Sequence, residues 1–293
     1  MHASPISLTA THHASQAPWS KPVRPWNPLH DDFTASNGSN YLGVEGGKLR
    51  HLLDVERPCN DSELAIHRRF AEHIQEDRFP CVVAKSILNR SSYRMGIYDS
   101  LASMDTALAV CHDLYEFSHE FKKAQHSREM VKARFTSFIA VFRHPHIDSE
   151  LKFEQLLWQQ LQAMHGIDAR YFNWDGTVSK EPDSPDFSFS LGGRAFFVVG
   201  MHPNSSRLAR RSEFLCLVFN PHDQFETLRS TGKYEHLRDT IRERDVAFQG
   251  NVNPMLANFG QASESRQYSG RAVSPQWHCP FHPHSAKNES HDT

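Results

Sequence analysis

The chain has 293 residues, 39% of them hydrophobic, and a formal net charge of −2 at neutral pH. This balance argues against nucleic acid or an anionic membrane as the main partner, and no apolar run reaches the 18 residues of a spanning helix. The five cysteines form no C-x-x-C pair, so neither a zinc ribbon nor a disulfide framework is indicated. The N-terminus lacks a secretory pattern. We therefore expect a cytoplasmic protein without a membrane anchor.

Two polar, aperiodic ends flank one region of regular patterning. Residues 1–43 and 285–293 are rich in Pro, Ser, Asn and His, a composition that predicts disordered tails. Residues 44–284 are numerous enough for one substantial core and are predicted to form a single domain.

The first half of this domain alternates between helical and strand patterns. Helices are predicted over residues 62–75, 100–125 and 149–165, where apolar residues recur every three or four positions. Short apolar runs predict strands at residues 79–84, 93–98 and 134–143.

The second half carries a hairpin signal. Residues 187–191 and 195–199 alternate around Gly192-Gly193, a dipeptide typical of a two-residue β-turn, and residues 214–219 should extend the same sheet. Helices are predicted at 222–230 and 233–247, whereas residues 248–278 lack periodicity. Together these patterns predict an α+β fold, in which a mixed β-sheet contains an antiparallel hairpin and is flanked by helices.

One segment places reactive side chains between two buried strands. Its sequence, V-V-G-M-H-P-N-S-S-R-L-A-R-R, occupies residues 198–211. Its basic side chains are His202, Arg207, Arg210 and Arg211. Gly200 permits unusual backbone geometry and Pro203 restricts φ, so the side chains should be held on a stiff platform. Taken alone, the pattern favours a surface turn whose arginines pair with nearby carboxylates.

Long strings in the C-terminal third carry a resemblance. They are F-V-V-G-M-H-P-N-S-S-R, L-V-F-N-P-H-D-Q-F-E, R-D-T-I-R-E-R-D-V-A, G-N-V-N-P-M-L, S-R-Q-Y-S-G-R-A-V and W-H-C-P-F. From Phe79-Pro80-Cys81 onward the chain resembles the bacterial YqcI/YcgG family. Its characterised members are similar to haem enzymes that hydroxylate a guanidino nitrogen, namely the arginine N-hydroxylase of the cycloserine pathway and the pre-guanitoxin N-hydroxylase.

The resemblance implies a haem-dependent monooxygenase that N-hydroxylates a guanidino or amino group of arginine or a related guanidine. It implies haem b, with its iron, as cofactor and dioxygen or peroxide as co-substrate. Because the sequence has no nucleotide-binding motif, an external electron-donor protein is expected, and a homodimer is a further expectation. Two alternatives stay open: a haem-binding sensor or carrier without turnover, and a protein whose arginines bind an anionic metabolite without haem.

Haem requires an axial donor, an apolar slot and cations for its two propionates. Under the resemblance, His202 ranks first as the iron ligand, Cys81 second and Cys279 third, because a thiolate also supports monooxygenation. For Cys81, a buried structural role at the start of a strand remains open. Cys111 and Cys216 have the pattern of core thiols.

Further candidates follow from charge. Arg207, Arg210 and Arg211 are the candidate cations for the propionates. A cationic substrate favours carboxylate partners, ideally bidentate ones. The candidate substrate-binding residues are Asn204, Glu243 and Asp245.

Overall fold

Seven strands form one mixed sheet in the computed structural model, which describes residues 24–125, 135–230, 232, 234–255, 257 and 260–284. The strands are β1 (Leu42–Glu45), β2 (Lys48–His51), β3 (Tyr93–Ser100), β4 (Ser137–His144), β5 (Phe189–Leu191), β6 (Arg194–Met201) and β7 (Leu215–Pro221). Their order across the sheet is β2-β1-β3-β4-β7-β6-β5. Only β3 and β4 pair in parallel; the other neighbours are antiparallel. The predicted α+β class is confirmed.

Helices cover both faces of this sheet. In the described chain they are α1 (Phe33–Gly38), α2 (Asp61–Gln75), α3 (Val82–Asn89), α4 (Met104–Gln125), α5 (Glu150–Asp168), α6 (Asp223–Ser230), α7 (Tyr234–Gln249) and α8 (Ser265–Tyr268). The α4 and α5 helices bury their apolar residues in one core cluster, and α2 and α3 bury theirs in a second. None of the described helices combines the length and hydropathy that a bilayer crossing requires.

The alternation of side chains along each strand separates the two clusters. In β4, Phe138 and Phe142 belong to the cluster with α4 and α5, whereas Ile139 and Val141 belong to the cluster with α2 and α3. Successive residues of a strand point to opposite faces, so each central strand contributes to both cores. The same rule decides below which candidate ligand meets the cavity.

The predicted hairpin is confirmed at Gly192-Gly193. Both glycines have positive φ values, +64° and +68°, which side chains other than that of glycine seldom adopt. The Gly192 N–H donates to Asp168 Oδ1 at 2.8 Å, which fixes the turn to the end of α5. The register pairs Leu191 with Arg194, so the turn between β5 and β6 consists of Gly192 and Gly193.

One predicted strand is wrong, because residues 79–84 lead into helix α3. Cys81 is the residue that caps the helix: its Sγ accepts from the Ala84 N–H at 3.4 Å. An apolar run of six residues does not by itself separate a strand from a helix start. Pro80 directly precedes the cap, a position compatible with the beginning of a helix.

The prediction of a disordered tail through residue 43 is wrong for residues 24–43. Asn27 Nδ2 donates to Glu116 Oε1 at 2.8 Å, and the Asn40 N–H donates to Asp113 Oδ2 at 2.9 Å. Leu29 and Tyr41 are buried in the core cluster of α4 and α5. The sequence did not predict this order because the segment has few apolar residues and no periodicity. Polar side chains attach it to α4 instead. Residues 1–23 and 285–293 lie outside the described residues.

Candidate functional site

A cavity of about 360 Å³ lies on the face of the sheet that α2 and α3 cover. Its floor consists of side chains from three central strands: Ile139, Phe197, Val199, Met201 and Val218. Apolar residues of α2 and α3 form the opposite wall: Phe70, Ile74, Val83, Ala84 and Ile87. The volume is within the range of small-molecule sites, roughly 300–1,000 Å³.

Cys81 supplies a thiol to the wall of this cavity. It caps α3, is partly exposed, and belongs to the lining. Burial raises the pKa of the Cys81 thiol, while the N–H groups of Ala84 and Val83 and the charge of Arg210 oppose that rise. Among the described residues of the lining there is no histidine, and Cys81 carries the one thiol.

Arg207 and Arg210 both reach the cavity, but in different electrostatic settings. Arg207 pairs with Asp245, also in the lining, and donates to Asn251 Oδ1 at 2.6 Å. Arg210 donates instead to backbone carbonyls, at 3.0 Å to Gly200 and at 3.3 Å to Gln267. Burial lowers the pKa of Arg210 to about 10, so the guanidinium stays charged at neutral pH. Its positive charge is therefore available to an anion in the cavity.

Helix α7 closes one side of the cavity with a stripe of residues at helical spacing. The stripe contains Tyr234, Leu237, Arg238, Ile241, Arg242 and Asp245. Residues three and four apart on a helix share a face, so one amphipathic face supplies both apolar surface and cations. With Arg207, Arg210 and Arg229 the described lining holds five arginines. Arg207, Arg229 and Arg238 pair with Asp245, Glu226 and Asp239, respectively. Together with the apolar walls, the guanidinium of Arg210 favours an anionic or amphiphilic ligand.

Glu264 is a residue of the cavity that sequence reasoning did not identify. It is only 6% exposed and precedes α8. Its Oε2 accepts from the Tyr268 hydroxyl at 3.4 Å, and its Oε1 lies 3.7 Å from His222 Nδ1. Burial raises the pKa of Glu264 to about 7. The aperiodic stretch 248–278 gives no local signal for this position, since contacts between α8 and β6 create it.

The whole described lining, from Phe70 to Gln267, lies inside the part of the chain that a family profile matches. The profile of the YqcI/YcgG family matches residues 70–282 of the chain. The chain belongs to the YqcI/YcgG family. No curated protein and no solved structure matches it.

His202 was ranked first from the sequence as the iron ligand. In this member of the family it lies on the opposite face of the sheet from the cavity. Its ring is 0% exposed and stacks on Phe153 of α5, with the ring centroids 4.3 Å apart. In strand β6, Phe197, Val199 and Met201 face the cavity, whereas Phe196 and Val198 belong to the core of α4 and α5. His202 lies an even number of residues after Phe196 and Val198, so its side chain points to the same face as theirs. The sheet thus lies between its imidazole and Cys81.

The His202 ring is buried and neutral. Neither ring nitrogen has a hydrogen-bond partner among the described residues. Burial lowers the pKa of His202 to about 4, so the ring is uncharged at neutral pH. Gly200, two residues before His202, has an ordinary φ. A side chain at this position would be too close to α5, since an added Cβ would lie 2.7 Å from Phe153 Cε1. The expectation of unusual backbone geometry at Gly200 is therefore wrong.

Three further candidates lie outside the cavity lining. Arg211 is exposed and donates from Nε to the Ser205 carbonyl at 2.9 Å. Asn204 is exposed and donates to the Ile147 carbonyl at 2.5 Å, on the side of α5. Glu243 is exposed on α7. Of the predicted site residues, the cavity brings together Cys81, Arg207, Arg210 and Asp245.

The remaining thiols belong to packed cores. Cys279 is buried in the cluster of α4 and α5, and burial raises its pKa to about 12. Cys111 and Cys216 are fully buried, in agreement with the prediction of core thiols. Cys279 therefore lies on the same side of the sheet as His202, away from the cavity.

Two groups of side chains in the described chain are close enough to share a metal ion: His30, His112 and Glu116, and His51, Cys59 and Glu63. The carboxylate of each group already accepts from several donors. Glu63 accepts from Asn40 Nδ2 at 2.8 Å and from the Asn60 N–H at 2.9 Å, which completes the capping box of α2. Glu116 accepts from Asn27 and pairs with Arg24 at 3.0 Å. These contacts explain both carboxylates without a metal.

Proposed function

We propose that this member of the YqcI/YcgG family is a haem-dependent monooxygenase that N-hydroxylates a guanidino or amino group. The single observation behind it is the cavity at Cys81, which combines apolar walls, one thiol and several arginines. Haem b requires the same three elements: an axial donor, an apolar slot for the macrocycle and cations for two propionates. The residues of the cavity thus fit the cofactor that the resemblance implies.

In this proposal Cys81, rather than His202, would hold the haem iron. Its thiol is on the cavity wall, whereas the imidazole of His202 is packed under Phe153 on the other face. The thiolate would hold the iron, so binding would release the thiol proton. Burial raises the pKa of this thiol, and the N–H groups of α3 and the charge of Arg210 offset part of that rise. A thiolate ligand suits monooxygenation because it directs electron density toward the iron and favours O–O cleavage.

The arginines of the cavity would hold the propionates. Arg210 is the first choice because its hydrogen bonds go to carbonyls and leave its charge unneutralised. Arg242 of α7 also lines the cavity. Arg207 differs, because Asp245 already pairs with it. In this proposal the Arg207–Asp245 pair fastens α7 to the segment that follows β6.

Haem, when bound, supplies the activation of dioxygen or peroxide. With peroxide, one substrate N–H becomes N–OH and one water is released. With dioxygen, the same product requires two electrons and two protons from outside, hence the expected electron-donor protein. The chain itself contributes the thiolate, the cations and apolar walls that keep water away from the reacting nitrogen.

The test combines three measurements on the full chain: haem per chain by pyridine haemochrome, the ferrous–CO spectrum, and N-hydroxyarginine formation from L-arginine by mass spectrometry. Cys81→Ser should abolish the thiolate type of CO spectrum and most haem retention, because it removes the metal bond. His202→Ala and the thiol control Cys279→Ser should keep the parent spectrum in whatever fraction folds.

Three outcomes separate the readings. Absence of haem after reconstitution would contradict the proposal as a whole. Loss of haem in His202→Ala but not in Cys81→Ser would return the imidazole to first place. Stoichiometric haem without product, given either peroxide or dioxygen and a reductant, would support the carrier or sensor instead.

A further inference from the structure

The lining of the cavity contains two carboxylates in unequal situations. Asp245 is paired with Arg207. Glu264 forms no ion pair with a lysine or arginine among the described residues, and its contacts to the Tyr268 hydroxyl and His222 Nδ1, at 3.4 and 3.7 Å, are long. Charge-assisted hydrogen bonds are usually about 2.7–2.9 Å. A carboxylate that is 6% exposed, faces an apolar cavity and has no lysine or arginine at ion-pair distance among the described residues is costly to keep ionised. Ser188 and the charge of Arg229 offset only part of the effect of burial.

Glu264 and Arg210 occupy different places along β6. The Tyr268 hydroxyl that contacts Glu264 also donates to the Phe196 carbonyl, at 3.2 Å. Arg210 donates to the Gly200 carbonyl, four residues further along the strand. Four residues of extended chain span roughly 13 Å. The cavity therefore has Arg210 near Cys81 and Glu264 toward the other end of the strand, where Arg229 also contributes to the lining.

We infer that Glu264 is the residue that binds the cationic group of the substrate, a guanidinium or a primary ammonium. This inference rests on the proposed function and assigns a specificity residue to it. A guanidinium presents paired N–H groups to a carboxylate, and a buried pair of this kind satisfies both partners. The arginines of the cavity cannot take this role, because they repel a cation.

The ionisation of Glu264 gives the inference a second readout. Burial raises its pKa to about 7, so the carboxylic acid is partly protonated at neutral pH. A cation binds only the carboxylate form, and affinity should therefore increase as the pH rises from 6 to 8. The charged and titratable groups that face Glu264 are His222, Glu226, Arg229 and Tyr268. Burial lowers the pKa of His222, which favours its neutral form.

Isothermal titration calorimetry on the full chain, as purified and after haem loading, tests the inference. The probes are L-arginine, agmatine and L-citrulline; citrulline has the shape of arginine but a neutral ureido group. The wild type should bind both cations more tightly than citrulline. Glu264→Gln should weaken arginine and agmatine by about 10- to 100-fold, leave citrulline nearly unchanged and remove the rise with pH.

Two variants serve as controls. Glu243→Gln removes an exposed carboxylate of α7 that is outside the cavity lining, and it should leave all three affinities unchanged. Glu264→Asp keeps the charge and should retain part of the preference for cations. Thermal melting of each variant confirms that it is folded.

The inference is overturned if the wild type binds neither cation more tightly than citrulline, or if Glu264→Gln keeps the preference. Its failure is distinct from that of the proposed function, because haem content is measured independently. A chain without haem that still loses arginine binding in Glu264→Gln would keep the inference and reject the oxygenase. A haem-loaded chain without the preference would do the reverse.

Discussion

The two faces of the sheet hold the two leading candidates for an iron ligand, His202 and Cys81, and the cavity described above lies on the face of Cys81. Against α4 and α5, aromatic side chains interdigitate, and His202 is one more ring in that packing. Against α2, α3 and α7, the helices leave a space of about 360 Å³ with arginines on its walls. Proximity in sequence to three arginines therefore did not predict which of the two candidates lines the cavity. The parity of His202 relative to β6 places its ring on the opposite face.

The largest expected effect compares adjacent phenylalanines of β6. Phe196 is fully buried and packs on Phe219, with ring centroids 6.2 Å apart, whereas Phe197 lines the cavity and is only partly buried. Phe196→Ala should lower the free energy of unfolding by about 3–5 kcal/mol, because the packed core cannot refill the space. Phe197→Ala should cost about 1–2 kcal/mol, since less of its surface is removed from water.

Urea unfolding of the two variants checks this comparison. Equal losses would show that the cavity face is as tightly packed as the other. A smaller loss for Phe196→Ala would reverse the assignment of the two faces. For Phe197→Ala, haem or ligand retention should change more than stability does.

The next comparison uses pH. The pKa of Glu264 is raised to about 7, so between pH 4.5 and 7 the folded chain binds more protons there than the unfolded chain, and stability falls as pH rises. The pKa of His202 is lowered to about 4, so between pH 6.5 and 4 the unfolded chain binds more protons, and stability falls as pH drops. Each shift corresponds to on the order of 3 kcal/mol.

Single variants separate these opposite slopes. Relative to the wild type, Glu264→Gln should gain stability as the pH is raised from 4.5 to 7.5. His202→Leu should gain relative stability as the pH is lowered from 6.5 to 4.5. Unfolding free energies at four pH values give both differences. Parallel curves for a variant and the wild type would mean that the replaced group titrates with its ordinary pKa in the folded chain.

Local patterns were sufficient for most of the architecture. The helical spacing of α2, α4, α5 and α7 and the alternation around Gly192-Gly193 are short-range signals, and all of these elements are confirmed. The hairpin of β1 and β2 was missed although Gly46-Gly47, both with positive φ, is the same kind of signal. Its strands have four residues each, too few for a clear alternation.

The site was less predictable because long-range contacts create it. The alternation of side chains along β6 predicts that His202 and Met201 point to opposite faces of the sheet. It does not predict which face has the cavity, because that depends on the distance of α3 and α7 from the sheet. Glu264 reaches the cavity only because Arg210 and Tyr268 join α8 to β6 through hydrogen bonds across more than fifty residues. Cys81 was ranked second as a candidate iron ligand and was predicted to lie in a strand. Its observed position at the start of a helix favours a thiolate more than a strand would.

The smallest expected effect concerns Gly200, where the packed face approaches the backbone of β6. A Cβ at this position would lie 2.7 Å from Phe153 Cε1, 2.8 Å from the Tyr268 carbonyl oxygen and 2.9 Å from Leu157 Cδ1. The carbonyl oxygen belongs to backbone and cannot move aside as a side chain can, so Gly200→Ala should cost about 1–3 kcal/mol. Gly176→Ala is the matched control, because Gly176 is exposed, has no positive φ and has no neighbour within 4 Å of an added Cβ. It should be neutral or slightly stabilising, since alanine restricts the unfolded chain. Thermal melting of the two variants tests this expectation. Similar melting temperatures would mean that α5 and the Tyr268 backbone do not pack closely against β6. The face of the sheet that holds His202 would then be less tightly packed than the contrast with the cavity face assumes.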